Sequence, residues 1–242
     1  MKSKPRVLLL QIRDHERVRQ EEHDSFILHS GLVKEQIDVF NVFDTPHFGP
    51  EIVEGYDSLW VGGASEASVL EPETYPFIQS GENILLHCLE HEIPVFASCF
   101  GFQLAVVALG GRVFKDTNNF EMGVIPIQLT ELAQSDPIFE GVPNDFMAVS
   151  VHQEKTTELP DNCELLAYTE ACVHSFRVRG KPFWAFQFHP EVDRPTLVER
   201  LTIFKKRYTD DDDHLESILA NAVDTPHSND LMRHFVERVL LK

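Results

Sequence analysis

The sequence is poor in positive charge. It contains 21 lysine and arginine residues against 39 aspartate and glutamate residues, which gives a formal net charge of -18 over 242 residues. A polyanion repels nucleic-acid phosphates and acidic membrane surfaces, so the charge argues against a nucleic-acid-binding or membrane-bound protein. A large negative charge also favours solubility, and that explanation requires no partner.

The sequence also lacks long apolar runs and paired cysteines. No segment approaches the about 20 apolar residues of a membrane span, and the apolar run after residues 1–5 is too short for a signal-peptide core. The four cysteines form no C-x-x-C pair, which argues against a disulfide framework and a zinc knuckle. We therefore expect a cytoplasmic protein with no metal ion and no other cofactor.

Short apolar segments alternate with helical patterns through the first half of the sequence. They predict strands over 6–12, 36–43, 56–63 and 93–98, with helices between and after them. This order is typical of an open α/β fold, a doubly wound, mostly parallel sheet with helices on both faces. After Gly111 the predicted strands are shorter, which indicates an antiparallel extension of the sheet.

The sequence becomes helical again from Pro195. We expect residues 1–194 to form one domain and residues 195–242 to form a helical extension packed on that domain. An acidic run, Asp210–Asp213, interrupts this tail. Successive carboxylates point in different directions, so a solvated helix start is a better interpretation of the run than a metal site.

Cys99 lies where a predicted strand meets a predicted helix. A nucleophile on such a tight turn needs small residues two positions before and after it, and here these are Ala97 and Gly101. The N-terminal end of the following helix stabilises a thiolate, and the N–H of Phe100 is placed to bind a developing oxyanion. The alternative is a thiol that only fills space, because free cysteine is among the most buried residue types.

A thiolate nucleophile needs an imidazole and a group that orients the ring. His189 follows an aromatic strand in the segment FWAFQFHPEV, and Pro190 ends that strand. Residues i and i+2 of an extended segment point to the same side, so Glu191 is expected to hold one ring nitrogen of His189. A structural histidine is the alternative. A third feature, Gly62–Gly63 at a strand end, permits close approach of a ligand, although a simple turn explains it equally well.

Together these segments resemble the class I glutamine amidotransferases with a Cys-His-Glu triad, in particular the stand-alone glutaminase type similar to that of GMP synthase. The segments WVGGASE, ASCFGFQ, VSVHQEKTTELP and FQFHPEV follow the order of the family motifs over roughly residues 6–192. The resemblance implies a catalytic triad of Cys99, His189 and Glu191, oxyanion N–H groups from Gly63 and Phe100, and substrate contacts from Gln103, Val151 and Gln153. It also implies that Cys99 attacks a γ-glutamyl amide, that His189 passes a proton to the leaving ammonia, and that water cleaves the resulting thioester.

The sequence departs from the family pattern at four positions. Ala97 replaces the first glycine of the elbow, Ala64 stands where proline often follows the glycine pair, and Glu154 stands where aspartate is common. Phe102 occupies a frequently polar position and is expected near the mouth of the site. The other cysteines do not lie on a predicted strand-to-helix turn. Cys88 lies in the core of a predicted helix, and Cys163 and Cys172 lie in strand-like segments.

Three functions fit these features. No Walker-type Gly-Lys-Ser/Thr loop or synthase-like stretch is found, so we first expect a stand-alone hydrolase of glutamine or of a γ-glutamyl peptide or conjugate. The alternative is a glutaminase subunit that delivers ammonia to a separate synthase partner, with residues 195–242 as a docking element. A non-catalytic binding module on the same fold is the third possibility, since fold does not fix function.

Overall fold

The computed structural model describes residues 4–117, 119–203 and 218–242. The strands are β1 Val7–Gln11, β2 Ile37–Asn41, β3 Ser58–Val61, β4 Val95–Ser98, β5 Phe114–Lys115, β6 Glu121–Leu129, β7 Asp145–His152, β8 Glu154–Lys155, β9 Cys163–Tyr168, β10 Val173–Val178 and β11 Phe183–Phe186. The α-helices are α1 Glu16–Ser30, α2 Phe77–Glu90, α3 Phe100–Ala108, α4 Arg194–Ile203 and α5 Pro226–Phe235. Short 3-10 turns lie at Lys34–Gln36, Pro50–Val53 and Leu132–Ser135, and a π-helical turn, Val236–Leu240, follows α5.

Nine of these strands form one mixed sheet in the order β2-β1-β3-β4-β11-β10-β9-β6-β7. The half from β2 to β11 is parallel. The half from β11 to β7 is antiparallel, and β5 pairs with β8 in a separate two-stranded ribbon. The predicted α/β class and the antiparallel extension are confirmed. The two-residue strand β8 was not predicted, because so short a segment has no measurable periodicity.

Both faces of the parallel half are covered. Along β1, Leu8 and Leu10 point into an apolar core shared with α2 and α3. Val7 and Leu9 point to the opposite face, into a core shared with α1 and α5. A strand covered on both faces carries no polar alternation, which explains the continuous apolar run that indicated β1.

The C-terminal helix belongs to the second of these cores. The Phe235 ring lies 6.3 Å from Trp60 and 5.4 Å from Phe96, measured between ring centroids. A domain boundary at residue 194 nevertheless stays a prediction, and Asp210–Asp213 lie outside the described residues. No helix in the described parts of the chain has the length and apolar character needed to cross a bilayer.

Two local expectations were wrong. The strand β11 ends at Phe186, and the chain then turns, with the N–H of Val192 bonded to the carbonyl of His189 at 3.2 Å. The extended segment expected around His189 is therefore a turn. Phe102 does not lie near the mouth of a site: it is fully buried and packs on Phe176 with ring centroids 5.3 Å apart. Gln103 is the single polar side chain of α3, and the rest of the helix packs into the core.

Candidate active site

Cys99 is held in a strained backbone conformation between β4 and α3. Its φ is 48° and its ψ is -98°, in a region that non-glycine residues rarely adopt. Such a conformation costs on the order of 1–3 kcal/mol and is found at sites where the surrounding structure enforces it. Here the N–H of Cys99 donates to the carbonyl of Phe186 at 2.7 Å, which ties the turn to β11.

Gly101 allows the turn to approach the neighbouring strand. A Cβ added at Gly101 would lie 2.8 Å from the carbonyl oxygen of Val61 and 2.9 Å from its Cβ. The N–H of Gly101 donates to the carbonyl of Gly62 at 3.3 Å. A larger residue than glycine at position 101 would therefore clash with the end of β3, which explains why the elbow requires a small residue there.

His189 and Glu191 form a buried pair beside Cys99. The Nδ1–H of His189 donates to Glu191 Oε1 at 2.7 Å, which leaves Nε2 as the ring nitrogen available to the thiol. Burial alone would lower the pKa of His189, but Cys99 and Glu191 outweigh burial and raise it to about 9. Burial would raise the pKa of Glu191, yet His189 and Arg200 lower it to about 2. The pair is thus poised as an imidazolium and a carboxylate.

The two residues predicted to supply oxyanion N–H groups border the nucleophile. A Cβ added at Gly63 would lie 2.9 Å from His189 Cε1 and 3.5 Å from Cys99 Cβ, so the backbone of Gly63 passes directly by both side chains. Phe100 is the first residue of α3, and N–H groups in the first turn of a helix have no partner within the helix. Both backbone segments are therefore adjacent to the sulfur.

A cleft of about 250 Å³ opens at Cys99. The predicted substrate residues Gln103, Val151 and Gln153 all line it. The carbonyl oxygen of Val151 lies 4.0 Å from Cys99 Sγ, and Gln103 Nε2 donates to the carbonyl of Glu154 at 2.9 Å. The structure therefore brings the three residues to one wall beside the sulfur.

The cleft has an acidic wall that sequence reasoning did not find. Glu66, Glu71 and Glu154 line it, together with Lys115. Ser68 Oγ donates to Glu154 Oε1 at 2.5 Å, and burial raises the pKa of Glu154. Glu66 follows the glycine pair closely in WVGGASE and was the one visible signal in the sequence.

The family model described as glutamine amidotransferase class-I matches residues 70–205, which is more than half of the chain. The chain belongs to the class-I glutamine amidotransferase family. The predicted family resemblance is confirmed, and glutamine hydrolysis is the chemistry of the curated relatives it matches.

Those relatives include components of a synthase. The chain is 36% identical over 118 residues to one subunit of the glutamine-hydrolyzing GMP synthase of Methanococcus vannielii, in a match that covers 48% of this chain and 60% of that protein. It is 35% identical to the same subunit from Methanococcus maripaludis, over 52% of this chain and 69% of that one. The chain thus spans about three-fifths to two-thirds of the length of these relatives.

A solved structure shares the fold along the whole chain. The crystal structure of a glutamine amidotransferase from Thermotoga maritima superposes with a TM-score of 0.74 and 19% sequence identity, and covers 99% of both chains. At this sequence identity the likeness bears on the fold alone. The shared fold is the one with the mixed sheet described above.

A buried ion pair lies behind the triad of this amidotransferase. Arg13 Nε lies 2.8 Å from Glu22 Oε1, and both side chains are almost fully buried. A Cβ added at Gly62 would lie 2.8 Å from the same Glu22 oxygen, so a glycine at this position leaves room for the ion pair. Arg200, on α4, binds Glu21 at 2.7 Å and lies 4.0 Å from Glu191 Oε1. Its charge helps to keep Glu191 ionised.

A second cluster of ionisable side chains, three of them buried and one partly buried, lies beside the cleft. Its members are Glu121, His152, Cys172 and His174. Their potential ligand atoms all lie within 4.8 Å of one another. Sequence reasoning missed the cluster because it joins three separate segments, and only the C-x-H spacing of Cys172 and His174 is visible in the sequence.

Proposed function

We propose that this amidotransferase hydrolyses the side-chain amide of glutamine, or a related γ-glutamyl amide, through a thioester on Cys99. The observation that carries the proposal is the strained elbow at Cys99, set against a histidine that is bonded at 2.7 Å to a buried carboxylate. A thiol that merely fills space does not require a left-handed backbone, whereas a nucleophile presented between strand and helix does.

Each side chain has a defined part in this reaction. The Cys99 thiolate attacks the amide carbon, and the N–H groups of Gly63 and Phe100 bind the oxyanion that forms. His189 donates its Nε2 proton to the leaving nitrogen, which departs as ammonia and leaves a γ-glutamyl thioester. The neutral imidazole then takes a proton from water, the hydroxide attacks the thioester, and glutamate and the free thiol are released. Glu191 stabilises the imidazolium throughout.

The cleft supports an amino-acid substrate. Its volume of about 250 Å³ suits a small molecule, and its lining places Glu66, Glu71 and Glu154 within reach of a bound α-ammonium group. Carboxylates in a partly buried cleft favour a cation more strongly than they would in water. Gln103, Val151 and Gln153 are proposed to contact the backbone end of the substrate.

The test is a substrate screen with matched variants. Purified full-length protein is assayed for ammonia and glutamate released from glutamine and from γ-glutamyl peptides. Cys99→Ala is expected to lower kcat by at least about 10³-fold, because no second nucleophile replaces the thiol. Cys163→Ser, a half-buried cysteine on β9, is the control and should retain activity. Full activity of Cys99→Ala would contradict the proposal, and so would failure to hydrolyse any γ-glutamyl amide both alone and with a synthase partner.

A second candidate is delivery of the ammonia to a separate synthase protein. The names of the curated relatives favour it, since they are subunits of a glutamine-hydrolyzing GMP synthase. Stand-alone hydrolysis predicts a kcat for glutamine within the usual range of about 1–10³ s⁻¹ without any partner. The synthase hypothesis predicts a much lower basal rate that rises when the partner binds. A tagged chain that recovers no synthase from its own cells would count against this second candidate.

The tail limits how such a partner could dock. Leu231, Met232 and Phe235 of α5 are buried in the core of this chain. A partner that used α5 would have to bind its outer, polar face, which includes Asp230 and Arg233. An Arg233→Glu variant that weakens partner binding without changing basal hydrolysis would support docking through the tail.

A further inference from the structure

The second cluster has the composition of a metal site. We propose that Glu121, His152, Cys172 and His174 bind one zinc ion, or a similar divalent transition metal, separate from the triad. Two imidazoles, one thiolate and one carboxylate are a donor set that zinc accepts with tetrahedral geometry. The proposal does not depend on the hydrolytic function proposed above.

The fold brings the four side chains together from three segments of the antiparallel half of the structure. Glu121 on β6 and His152 on β7 are directly paired across the two strands. Cys172 immediately precedes β10, and His174 lies two residues further on, so both side chains point the same way. Glu121, His152 and His174 lie on strands that backbone hydrogen bonds fix in the sheet, and Cys172 lies in the turn directly before β10, so three of the four donors are held by the sheet itself.

The donor atoms converge on one carboxylate oxygen. Glu121 Oε2 lies 2.7 Å from His174 Nε2, 3.0 Å from His152 Nε2 and 3.6 Å from Cys172 Sγ. Cys172 Sγ lies 3.5 Å from His174 Nε2. In a tetrahedral zinc site, Zn–N bonds of about 2.0–2.1 Å and Zn–S bonds of about 2.3 Å set donor atoms roughly 3.3–3.7 Å apart. To reach this spacing, the closest donors must separate by roughly half an ångström, and donors as far apart as the 4.8 Å limit of the cluster must approach one another.

Charge balance favours a divalent ion. On binding, the ion forms a bond to Cys172 Sγ, and the thiol proton leaves to solvent. The thiolate and the Glu121 carboxylate then carry two negative charges between them, which neutralise the ion inside a buried site. His152 and His174 bind as neutral ligands through Nε2. No oxidant or other reactant is needed.

An outer hydrogen bond orients the carboxylate. Thr169 Oγ1 donates to Glu121 Oε1 at 2.8 Å, which turns Oε2 toward the other three donors. Outer partners of this kind are a regular feature of protein metal sites. His152 also lies on the wall of the cleft, so an ion can approach from that side.

The position suggests what the ion does. Val151 and Gln153, on either side of His152, line the cleft next to Cys99. An ion bound to His152 would fix the end of β7 against β6 and the start of β10. The site is therefore a structural support for one wall of the substrate cleft, and none of its ligands is a member of the triad.

The first test measures metal binding directly on the full chain. Protein expressed with zinc in the medium should contain close to one ion per chain by elemental analysis. After removal of zinc by a chelator, added Co²⁺ should give the sulfur-to-cobalt charge-transfer absorption and the intense visible bands of a tetrahedral thiolate site. Cys172→Ser should abolish the charge-transfer absorption. Thr169→Val should weaken binding by roughly 10–100-fold, as loss of an outer partner does.

Two controls locate the ion. Cys99→Ala should keep both the metal content and the cobalt spectrum, because the triad is not the site. Cys163→Ser should do the same. The proposal is overturned if the wild-type protein binds neither zinc nor cobalt, which would leave a hydrogen-bonded cluster only, or if Cys99→Ala loses the spectrum while Cys172→Ser keeps it.

A measurement on the wild-type protein covers the case in which Cys172→Ser does not fold. X-ray absorption of the zinc-loaded chain should fit one sulfur at about 2.3 Å and three nitrogen or oxygen donors at about 2.0–2.2 Å. A first shell with no sulfur, or with oxygen donors alone, would contradict the site.

Discussion

Two buried clusters in this amidotransferase contain the same three side-chain types, cysteine, histidine and glutamate, in different arrangements. In the triad, Glu191 touches the histidine on the side away from the thiol, at 2.7 Å. In the second cluster, Glu121 contacts the thiol of Cys172 itself, at 3.6 Å. A carboxylate behind the imidazole stabilises an imidazolium, which in turn stabilises a thiolate. A carboxylate against the thiol disfavours the thiolate until a cation joins the cluster.

The backbone around the cysteine also differs between the two clusters, and it too favours a thiolate at Cys99 over one at Cys172. Cys99 has a φ of 48° and directly precedes α3, and the N-terminal end of a helix favours a negative charge. Cys172 directly precedes an antiparallel strand and not a helix. Burial and Glu121 both raise the pKa of Cys172. Residue type alone therefore does not distinguish a nucleophilic cysteine from a metal-binding one. The backbone conformation of the cysteine and the position of the carboxylate distinguish them.

The largest effect we expect is selective alkylation of one thiol. At neutral pH, a soluble alkylating reagent should modify Cys99 at least roughly 10²–10³ times faster than Cys172, because Cys99 lies beside the His189 imidazolium and directly before α3, whereas the Glu121 carboxylate lies against Cys172. Peptide mass spectrometry after timed exposure measures the two rates in one sample. Cys88, whose pKa burial raises to about 12, is an internal control and should react as slowly as Cys172.

Equal rates at Cys99 and Cys172 would remove the contrast between the clusters. They would also favour a non-catalytic module on this fold. Modification of Cys99 by a glutamine-like electrophile, and its absence in Cys99→Ala, would exclude that module.

The second expected effect is on the rate of hydrolysis. Glu191→Gln should lower kcat by roughly 10²-fold, because an amide neither stabilises the imidazolium nor fixes the same ring tautomer. The alkaline limb of the pH–rate profile should also move to lower pH, since Glu191 is one of the causes that raise the pKa of His189. The limb reports the Cys–His pair as a unit.

Glu164→Gln is the matched control for this prediction. Glu164 pairs with Arg177 at 2.6 Å on the antiparallel side of the sheet and touches neither cluster. Its variant should leave kcat and the alkaline limb within about twofold of the wild type. A Glu191→Gln enzyme with the same profile as Glu164→Gln would show that Glu191 does not act on His189.

The proposed triad could be predicted from the sequence because its signals are local. Ala97 and Gly101 flank Cys99 at the spacing an elbow needs, and His189 and Glu191 lie two residues apart in one block. The reason given for that pairing was nevertheless wrong, since a turn rather than a strand brings Glu191 to the ring. The contact between His189 and Glu191 was nevertheless predicted, because residues two positions apart can touch in a strand and in a turn.

The second cluster could not be found in this way. Glu121 meets His152 only through the register of β6 on β7, and no sequence pattern fixes that register before the strands are paired. The ion pair of Arg13 and Glu22 has the same origin, because a strand end and a helix must dock before the two residues meet. Phe102 shows the converse case. The family pattern often has a polar residue at this position, so Phe102 was expected near the mouth of the cleft. The side chain instead lies in the core, together with the other apolar side chains of α3.

The smallest expected effect is the pH dependence of stability that the triad pair contributes. Folding raises the pKa of His189 to about 9 from an ordinary value near 6.5, so its contribution is complete below about pH 6.5 and is lost as the pH rises through about 9. Folding lowers the pKa of Glu191 to about 2 from 4.5, so its contribution is present above about pH 4.5 and is lost as the pH falls through about 2.

The difference in unfolding free energy between wild type and Glu191→Gln should therefore be largest between about pH 4.5 and 6.5, on the order of 1–3 kcal/mol, and should shrink on both sides. Denaturant unfolding at a series of pH values measures this difference, and subtraction of the variant removes the self-repulsion that the net charge of -18 adds to both proteins. A difference that stays constant from about pH 2 to about pH 9 would mean that His189 and Glu191 are not an ion pair. The contrast between the two clusters would then rest on backbone geometry alone.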